Sequence, residues 1–289
     1  MTSFLYALTV AIWGTTWIAL KLQLGSAPIP WSIAYRFALA AAVLFAWLAA
    51  RGRLRLPRPE VRWLVAAQGL CLFCVNFICF LNASRSIASG LVAVVFSTAT
   101  LWNALGARLV YKRRLTPTIV GGGALGLAGL LLMFWPELAR HGASADTWRG
   151  LGFALVGTLC FSCGNLLSAR MQALGETPAL TNAWGMLVGT LVLVAGCAAA
   201  GIAPAFDTSP SYVGAWLYLA LPGSVVGFTA YLELVGRLGP ERAAYCTVLF
   251  PLVALAISSV AEDYRWAPVA LAGMALVMAG NVLVLRKRP

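Results

Sequence analysis

Stretches of about 20 mostly apolar residues, the length that crosses a bilayer as a helix, recur ten times along the chain. They fall at about 3–24, 31–50, 62–82, 87–110, 116–135, 149–170, 179–201, 212–233, 241–260 and 266–285. Charged residues, Gly and Pro gather between them, at 25–30, 51–60, 112–114, 136–149, 175–178, 204–210, 237–240 and 262–265. The pattern predicts an all-α polytopic membrane protein with ten transmembrane helices. The first run lacks a basic leader and a small-residue cleavage site, so it is expected to stay as the first span. The longest connection, 136–149, holds the only histidine, His141.

One stretch is written twice. Residues 114–132 (RLTPTIVGGGALGLAGLLL) match residues 265–283 (RWAPVALAGMALVMAGNVL) at eight of 19 positions with a constant offset of 151. The identities include Arg114/Arg265, Pro117/Pro268, Gly122/Gly273 and Gly129/Gly280. A fixed-period match sets architecture. It divides the chain into a first repeat at 1–137, an inter-repeat loop at 138–148 and a second repeat at 149–289. Five spans per repeat is an odd number, so the second copy enters the membrane from the opposite face. Such inverted repeats enclose a central cavity that opens to either side in turn. Small-residue pairs (Gly122/Gly126, Gly185/Gly189 and Gly223/Gly227) allow the close helix packing that lipid requires. The Gly121–Gly123 run is no phosphate loop, since neither a strand nor a Lys-Ser/Thr pair flanks it.

Composition agrees: 61% hydrophobic residues and only 10% charged in 289 residues, against about 25% charged in soluble domains. The net charge of +12 would suggest nucleic acid on a soluble protein, but its placement gives another meaning. With the N-terminus in the cytoplasm, the inner connections hold Arg51, Arg53, Arg55, Arg58, Arg62, Arg108, Lys112, Arg113, Arg114, Arg170, Arg237, Arg242, Arg286, Lys287 and Arg288. The outer ones hold only Lys21, Arg85, Arg140, Arg149 and Arg265. The positive-inside rule then places both termini in the cytoplasm, and no nucleic-acid partner is expected. Two Cys pairs, Cys71/Cys74 and Cys160/Cys163, have metal-ligand spacing, but all seven cysteines lie in apolar runs. They read as small hydrophobes, with no metal and no cofactor. Paired catalytic carboxylates, HExxH and GxSxG are absent from the sequence, which argues against an enzyme.

Candidate chemistry comes from polar and aromatic groups inside the spans. Arg36 stands one to two turns inside the outer end of span two, where an ionisable residue costs about 2.5–3.5 kcal/mol on insertion scales. It holds a substrate carboxylate or a gate partner, or else it snorkels to the headgroups or pairs with Glu262 or Asp263. Glu233 reads as interfacial. With no carboxylate mid-membrane, movement down the substrate's own gradient is expected. Asn76, Asn103 and Asn165 need hydrogen-bond partners in hydrocarbon; each is either interhelical glue or a contact for an amino or carboxyl group. Trp13 and Trp17 share one helix face. With Tyr35, Phe80, Trp102, Trp184, Tyr231 and Tyr245 they supply aromatic walls. Trp31, Trp63, Trp148, Tyr212 and Trp266 fit interfacial belts. An aromatic cavity with a few amides suits amino acids with bulky side chains and fits polyanions poorly. Pro222-Gly223 and Pro251 are candidate hinges, since Pro removes a helical hydrogen bond.

The chain resembles the drug/metabolite transporter superfamily with two EamA-type repeats. Trp13-Gly14, Arg36-Phe37, residues 241–251 (ERAAYCTVLFP), Ala261-Glu262-Asp263 and the Gly273–Gly280 helix carry the likeness over essentially the whole chain. Within the superfamily it is most similar to the YddG-type exporters of aromatic and other amino acids. The resemblance implies a ten-helix fold around a central cavity in a bacterial inner membrane. It also implies export of neutral amino acids and related metabolites by alternating access, with an importer or other small-metabolite carrier as the alternative. A monomer in membrane lipid is expected. Two features depart from the pattern. Thr100 stands where the second repeat has Pro251, so span four is expected to be straighter than span nine. Span one offers Thr15 and Thr16 where small multidrug pumps keep a glutamate.

Overall fold

The computed structural model describes residues 2–111, 117–141, 144–262 and 267–285. Within these, the side chains of residues 111, 119, 134, 136–141, 241, 242, 245, 248, 284 and 285 are outside the description. Arg114, Asp263, Arg265 and Trp266, and the side chains of His141 and Tyr245, therefore lie outside the described residues.

Seven helices among the described residues are long and apolar enough to cross a membrane. They are α1 (Thr2–Leu22), α2 (Ile29–Ala50), α3 (Pro59–Ser86), α4 (Ser89–Val110), α6 (Ala145–Ala173), α7 (Pro178–Ala199) and α8 (Pro210–Leu238). Three more hold shorter apolar stretches: α5 (Pro117–His141), α9 (Tyr245–Ala261) and α10 (Pro268–Leu285). Proline occupies the first turn of α2, α7 and α8, where its missing N–H costs nothing and its fixed φ suits a helix start. Leu109, Val120, Leu131, Leu191 and Val260 stay exposed on the outer surface, as lipid-facing positions should. The expected 136–149 connection is shorter than the apolar pattern indicates: α5 runs on to His141 and α6 starts at Ala145. Glu137, Leu138, Ala139 and Arg140 favour helix, so the helix outlasts the hydrophobic run. Ser144 caps α6 by accepting the Thr147 N–H at 3.2 Å.

Features of the two halves recur in step. A Schellman turn ends α2: Arg53 N–H donates to Leu48 C=O and Gly52 N–H to Ala49 C=O. The same turn ends α7, from Ile202 to Cys197 and from Gly201 to Ala198. Gly52 and Gly201 have φ of 61° and 65°, which a side chain would oppose. A π-helical segment interrupts α3 at Cys71–Val75 and α8 at Leu219–Val226; regular helix resumes at Asn76 and Gly227, 151 positions apart. Helix α1 packs on α8 and α9, as α6 packs on α3 and α4, while α2 packs on α7 and α5 on α10.

The α5–α10 contact is the closest. A Cβ on Gly129 would lie 2.5 Å from the Gly273 carbonyl oxygen, and one on Gly273 would lie 2.6 Å from that of Gly129. A Cβ on Gly280 would stand 2.5 Å from the Gly122 carbonyl oxygen. The contacts 129–273 and 122–280 make the helices antiparallel, and exchanging residues 151 apart converts one into the other. A two-fold relation between the halves produces this reciprocity.

Each span of this pair is interrupted by one turn, span four at Thr98 and span nine at Ala244. Helix α4 breaks at Thr98, where Ser97, Thr98 and Thr100 turn their hydroxyls back to the carbonyls of Val94, Val95 and Ser97. Such back-bonding bends helices. Helix α9 runs unbroken through Pro251 after a turn at Ala244.

Clasps between halves hold both ends of the bundle. At the end bearing the N-terminus, the buried Glu176 carboxylate takes a two-pronged bond from Arg55 at 2.7 and 3.2 Å, with Arg58 at 3.5 Å. Trp184 Nε1 donates to the Arg55 carbonyl at 2.9 Å. At the far end Asp207 accepts from the N–H and hydroxyl of Ser26, and Trp31 Nε1 donates to the Ile202 carbonyl at 3.0 Å. Also there, Glu262 takes Lys21 at 2.5 Å together with Ser89 and Ser258. Burial opposes its ionisation, but the bonds from Lys21, Ser258 and Ser89 prevail and lower its pKa. Tyr212, expected in an interfacial belt, is buried with its hydroxyl on Ser32, whereas Trp63 and Trp148 are exposed as expected.

Two outcomes follow. Gly129→Leu should lower the detergent-solubilised melting temperature by about 10 °C, since it drives side chain into backbone at a helix crossing. Gly126→Leu, whose Cβ meets nothing within 4 Å, should leave it unchanged. Hydrogen bonds from Ser209 first, then Ser26, pull the Asp207 carboxyl from 3.8 to about 2. A depressed acid stabilises above its unfolded pKa and loses that contribution as pH falls through its folded one. The melting difference between Asp207→Asn and the parent should therefore be constant from pH 8 to about pH 5 and shrink only below about pH 4.

Candidate functional site

Between the halves lies a cavity of about 30 Å³, walled by Trp13, Thr16, Trp17, Leu20, Arg36, Asn76, Phe77, Phe80, Phe96, Phe161, Phe228 and Phe250. At about 1.5 Å per residue, Trp13 lies about 16 Å along α1 from Thr2, near mid-bilayer. The space admits one or two waters.

The aromatic wall is built by mutual packing. Trp13 meets Phe228 at 4.8 Å, Phe161 at 5.9 Å and Phe250 at 6.0 Å edge-on, and lies tilted on Tyr231 at 4.9 Å. Trp17 meets Phe80 and Phe96 at 5.4 and 5.2 Å. Trp13 Nε1 donates to the Gly223 carbonyl at 3.0 Å. In the π segment the Gly227 N–H goes to Pro222 and Ser224, which leaves that carbonyl for the indole. Gly227 must also lack a side chain for the indole to fit. Pro222 and Gly223 thus sit where α8 is irregular and gripped by α1; π segments mark functional sites more often than chance. Pro251 lies inside a continuous α9.

Arg36 is buried at 2% exposure. Its Nε donates to Ser224 Oγ at 2.9 Å, and Ser224 donates onward to the Leu219 carbonyl at 2.8 Å. The guanidinium carbon stands 4.2 Å from the Phe77 ring centroid and 5.0 Å from that of Phe37. Arg36 is buried and does not pair with Glu262, which is taken by Lys21, while Asp263, the other expected partner, lies outside the described residues. A desolvated cation–π contact contributes about 2 kcal/mol and a charged hydrogen bond about 1.5–3 kcal/mol. These roughly offset the insertion cost for a cation that has no counter-ion among the described residues. Among the described residues its Nη1 has no partner, and neither do Trp17 Nε1 and Asn76 Oδ1. Asn76 Nδ2 makes only a long bond to the Gly157 carbonyl at 3.4 Å.

A second polar group lies beneath the Trp13 layer, toward the end bearing the N-terminus. Ser162 donates to Asn103 Oδ1 at 2.6 Å, Asn103 Nδ2 to the Pro240 carbonyl at 3.3 Å, and Asn165 Nδ2 to the Tyr231 hydroxyl at 3.1 Å. These residues are buried, and Asn165 Oδ1 has no partner among the described residues.

Of the expected contacts, Trp13, Trp17, Arg36, Asn76 and Phe80 meet at the cavity, and Asn103, Asn165 and Tyr231 form the adjoining cluster. Three do not reach it. Tyr35 stacks on Trp31 and Phe206, Trp102 bonds Thr98, and Trp184 packs on Phe45. Tyr245 has no described side chain. Thr16, Leu20, Phe77, Phe96, Phe161, Phe228 and Phe250 were not expected in the site. The repeat held a signal for some of them: Phe77 and Phe80 stand 151 residues before Phe228 and Tyr231.

Comparison with known proteins agrees with this architecture. One crystal structure superposes with a TM-score of 0.69 at 18% identity, covering 98% of this chain and 95% of that one, which speaks to fold alone. The "Uncharacterized inner membrane transporter YedA" of Escherichia coli K12 is 28% identical over 88% of this chain and 80% of its own length. The "Probable amino-acid metabolite efflux pump" of the same organism is 25% identical over 97% and 94%, and that of Salmonella typhimurium 27% over 99% and 96%. The model of the EamA-like transporter family matches residues 1–135 and again 148–286. A chain whose two halves each carry that pattern and wall one buried cavity belongs to the EamA-like transporter family.

Proposed function

We propose that the chain is a carrier in the bacterial inner membrane that exports neutral amino acids, aromatic ones among them, and related small metabolites by alternating access. The observation that carries this is a buried guanidinium, Arg36, with no ion-pair partner among the described residues, in an aromatic cavity between two halves whose α5 and α10 contacts are reciprocal under exchange of residues 151 apart. The relatives' names, an inner membrane transporter and amino-acid metabolite efflux pumps, support the class, the compartment and the direction. The positive-inside bias supports ten spans with both termini in the cytoplasm.

In this mechanism the clasps at both ends hold the chamber shut. The Glu176–Arg55 clasp is ionic with the carboxylate buried, whereas Asp207 is held across the halves by Ser26 alone. Opening toward the periplasm releases the Lys21–Glu262 and Asp207 contacts, and opening toward the cytoplasm releases Glu176 and the Asn165–Tyr231 bond. Substrate side chains lie on the faces of Trp13, Trp17, Phe80 and Phe96. The α8 π segment at Pro222-Gly223 is the bending point, and regular helix on either side moves as rods.

Purified protein in liposomes loaded with labelled phenylalanine should release it faster than empty liposomes. Arg36→Gln should cut the rate about ten- to a hundredfold, the loss of one charged hydrogen bond. Collapsing the proton gradient at a fixed substrate gradient should change nothing, because among the described residues no Asp or Glu lines the cavity. Proton-dependent flux would overturn the facilitative mechanism. Uptake without release, in vesicles of known orientation, would turn the proposal into an importer. Asn165→Ala should slow flux about fivefold if the inner polar cluster is part of the path.

A further inference from the structure

Three residues that line the cavity each carry a buried polar atom without a partner among the described residues: the donors Arg36 Nη1 and Trp17 Nε1 and the acceptor Asn76 Oδ1. Arg36, Trp17 and Asn76 are 2%, 4% and 1% exposed, so bulk water does not satisfy these atoms. Buried polar groups seldom go unpaired, and here they surround one space. Two donors, one of them cationic, match the two oxygens of a carboxylate. The one acceptor is a neutral amide oxygen, which takes a single N–H or O–H.

An ammonium has no comparable provision. Among the described residues no Asp or Glu lines the chamber, and Glu262, at the outer end, is occupied by Lys21, Ser89 and Ser258. Aromatic faces attract cations, but the guanidinium already covers Phe77 and Phe37 and repels a second positive charge in a medium of low dielectric.

Resting on the amino-acid reading above, we infer that the recognised group is the carboxylate alone, and that the carried class is apolar monocarboxylates, with or without an α-ammonium. Amino acids are then one subset, beside acids of the same side chain that lack the amine. Amines of the same side chain are excluded.

Calorimetric titration of the full-length protein in lipid nanodiscs tests this with three probes sharing one ring: phenylalanine, 3-phenylpropionate and phenethylamine. Phenylalanine and 3-phenylpropionate should bind within about threefold of each other, and phenethylamine at least about thirtyfold more weakly. Arg36→Gln should abolish the difference between acid and amine. Asn76→Asp, which supplies an anion where the amide oxygen stands, should favour phenylalanine over 3-phenylpropionate by about tenfold, and it serves if Arg36→Gln does not fold. Phenylalanine binding without 3-phenylpropionate binding would overturn the inference and leave the amino-acid carrier standing, as would phenethylamine binding as tightly as phenylalanine. Binding of none of the three would overturn both.

Discussion

Everything in this bundle hangs on a backbone contact that tolerates no side chain. Helices α5 and α10 cross with the carbonyl oxygens of Gly122, Gly129 and Gly273 where partner Cβ atoms would otherwise sit. In lipid the hydrophobic drive between helices is missing, so dispersion at such close approach is what joins them. The same contact is reciprocal under exchange of residues 151 apart. It joins the halves and relates them in one act, and it leaves α1–α4, α6, α8 and α9 to line a space.

The scaffold repeats, but the chemistry does not. Phe77 and Phe80 have counterparts in Phe228 and Tyr231, and the two π segments end in register. Arg36, by contrast, answers to Gly185 at the offset of 149 that the Gly52 and Gly201 turns share, and Asn76 to Gly227 at 151. The local failure of the symmetry leaves a cation, Arg36, on one side of the Trp13 layer and the Asn103–Asn165 cluster on the other, and that asymmetry comes from a handful of side chains.

Much of this was legible from residues alone, for physical reasons. Apolar runs give helices because lipid leaves the backbone no other way to satisfy its hydrogen bonds. Paired glycines mark a crossing because nothing larger fits. Arg36 stood out because a charge within a span is costly. Other features were hidden. The π segments have no residue signature beyond Pro222. Phe161 lies in an unremarkable apolar run, and only the neighbouring helices decide that it faces inward. Tyr35, Trp102 and Trp184 lie in spans like the cavity residues, yet rotation about the helix axis turns them toward loops and neighbours. The Lys21–Glu262 pairing depended on which of two acids and two cations came within reach, which spacing does not decide. Helix α5 outran its apolar stretch because helix propensity continues past the hydrocarbon edge.

The central claim is that one buried chamber is reached from either face of the membrane, never from both together. In a variant lacking the seven native cysteines, a single Thr16→Cys at the chamber wall can be challenged with a membrane-impermeant thiol reagent from one side or the other. The account predicts labelling from each face in separate experiments, with phenylalanine protecting against both. Labelling from one face only, or labelling that substrate leaves untouched, would contradict it.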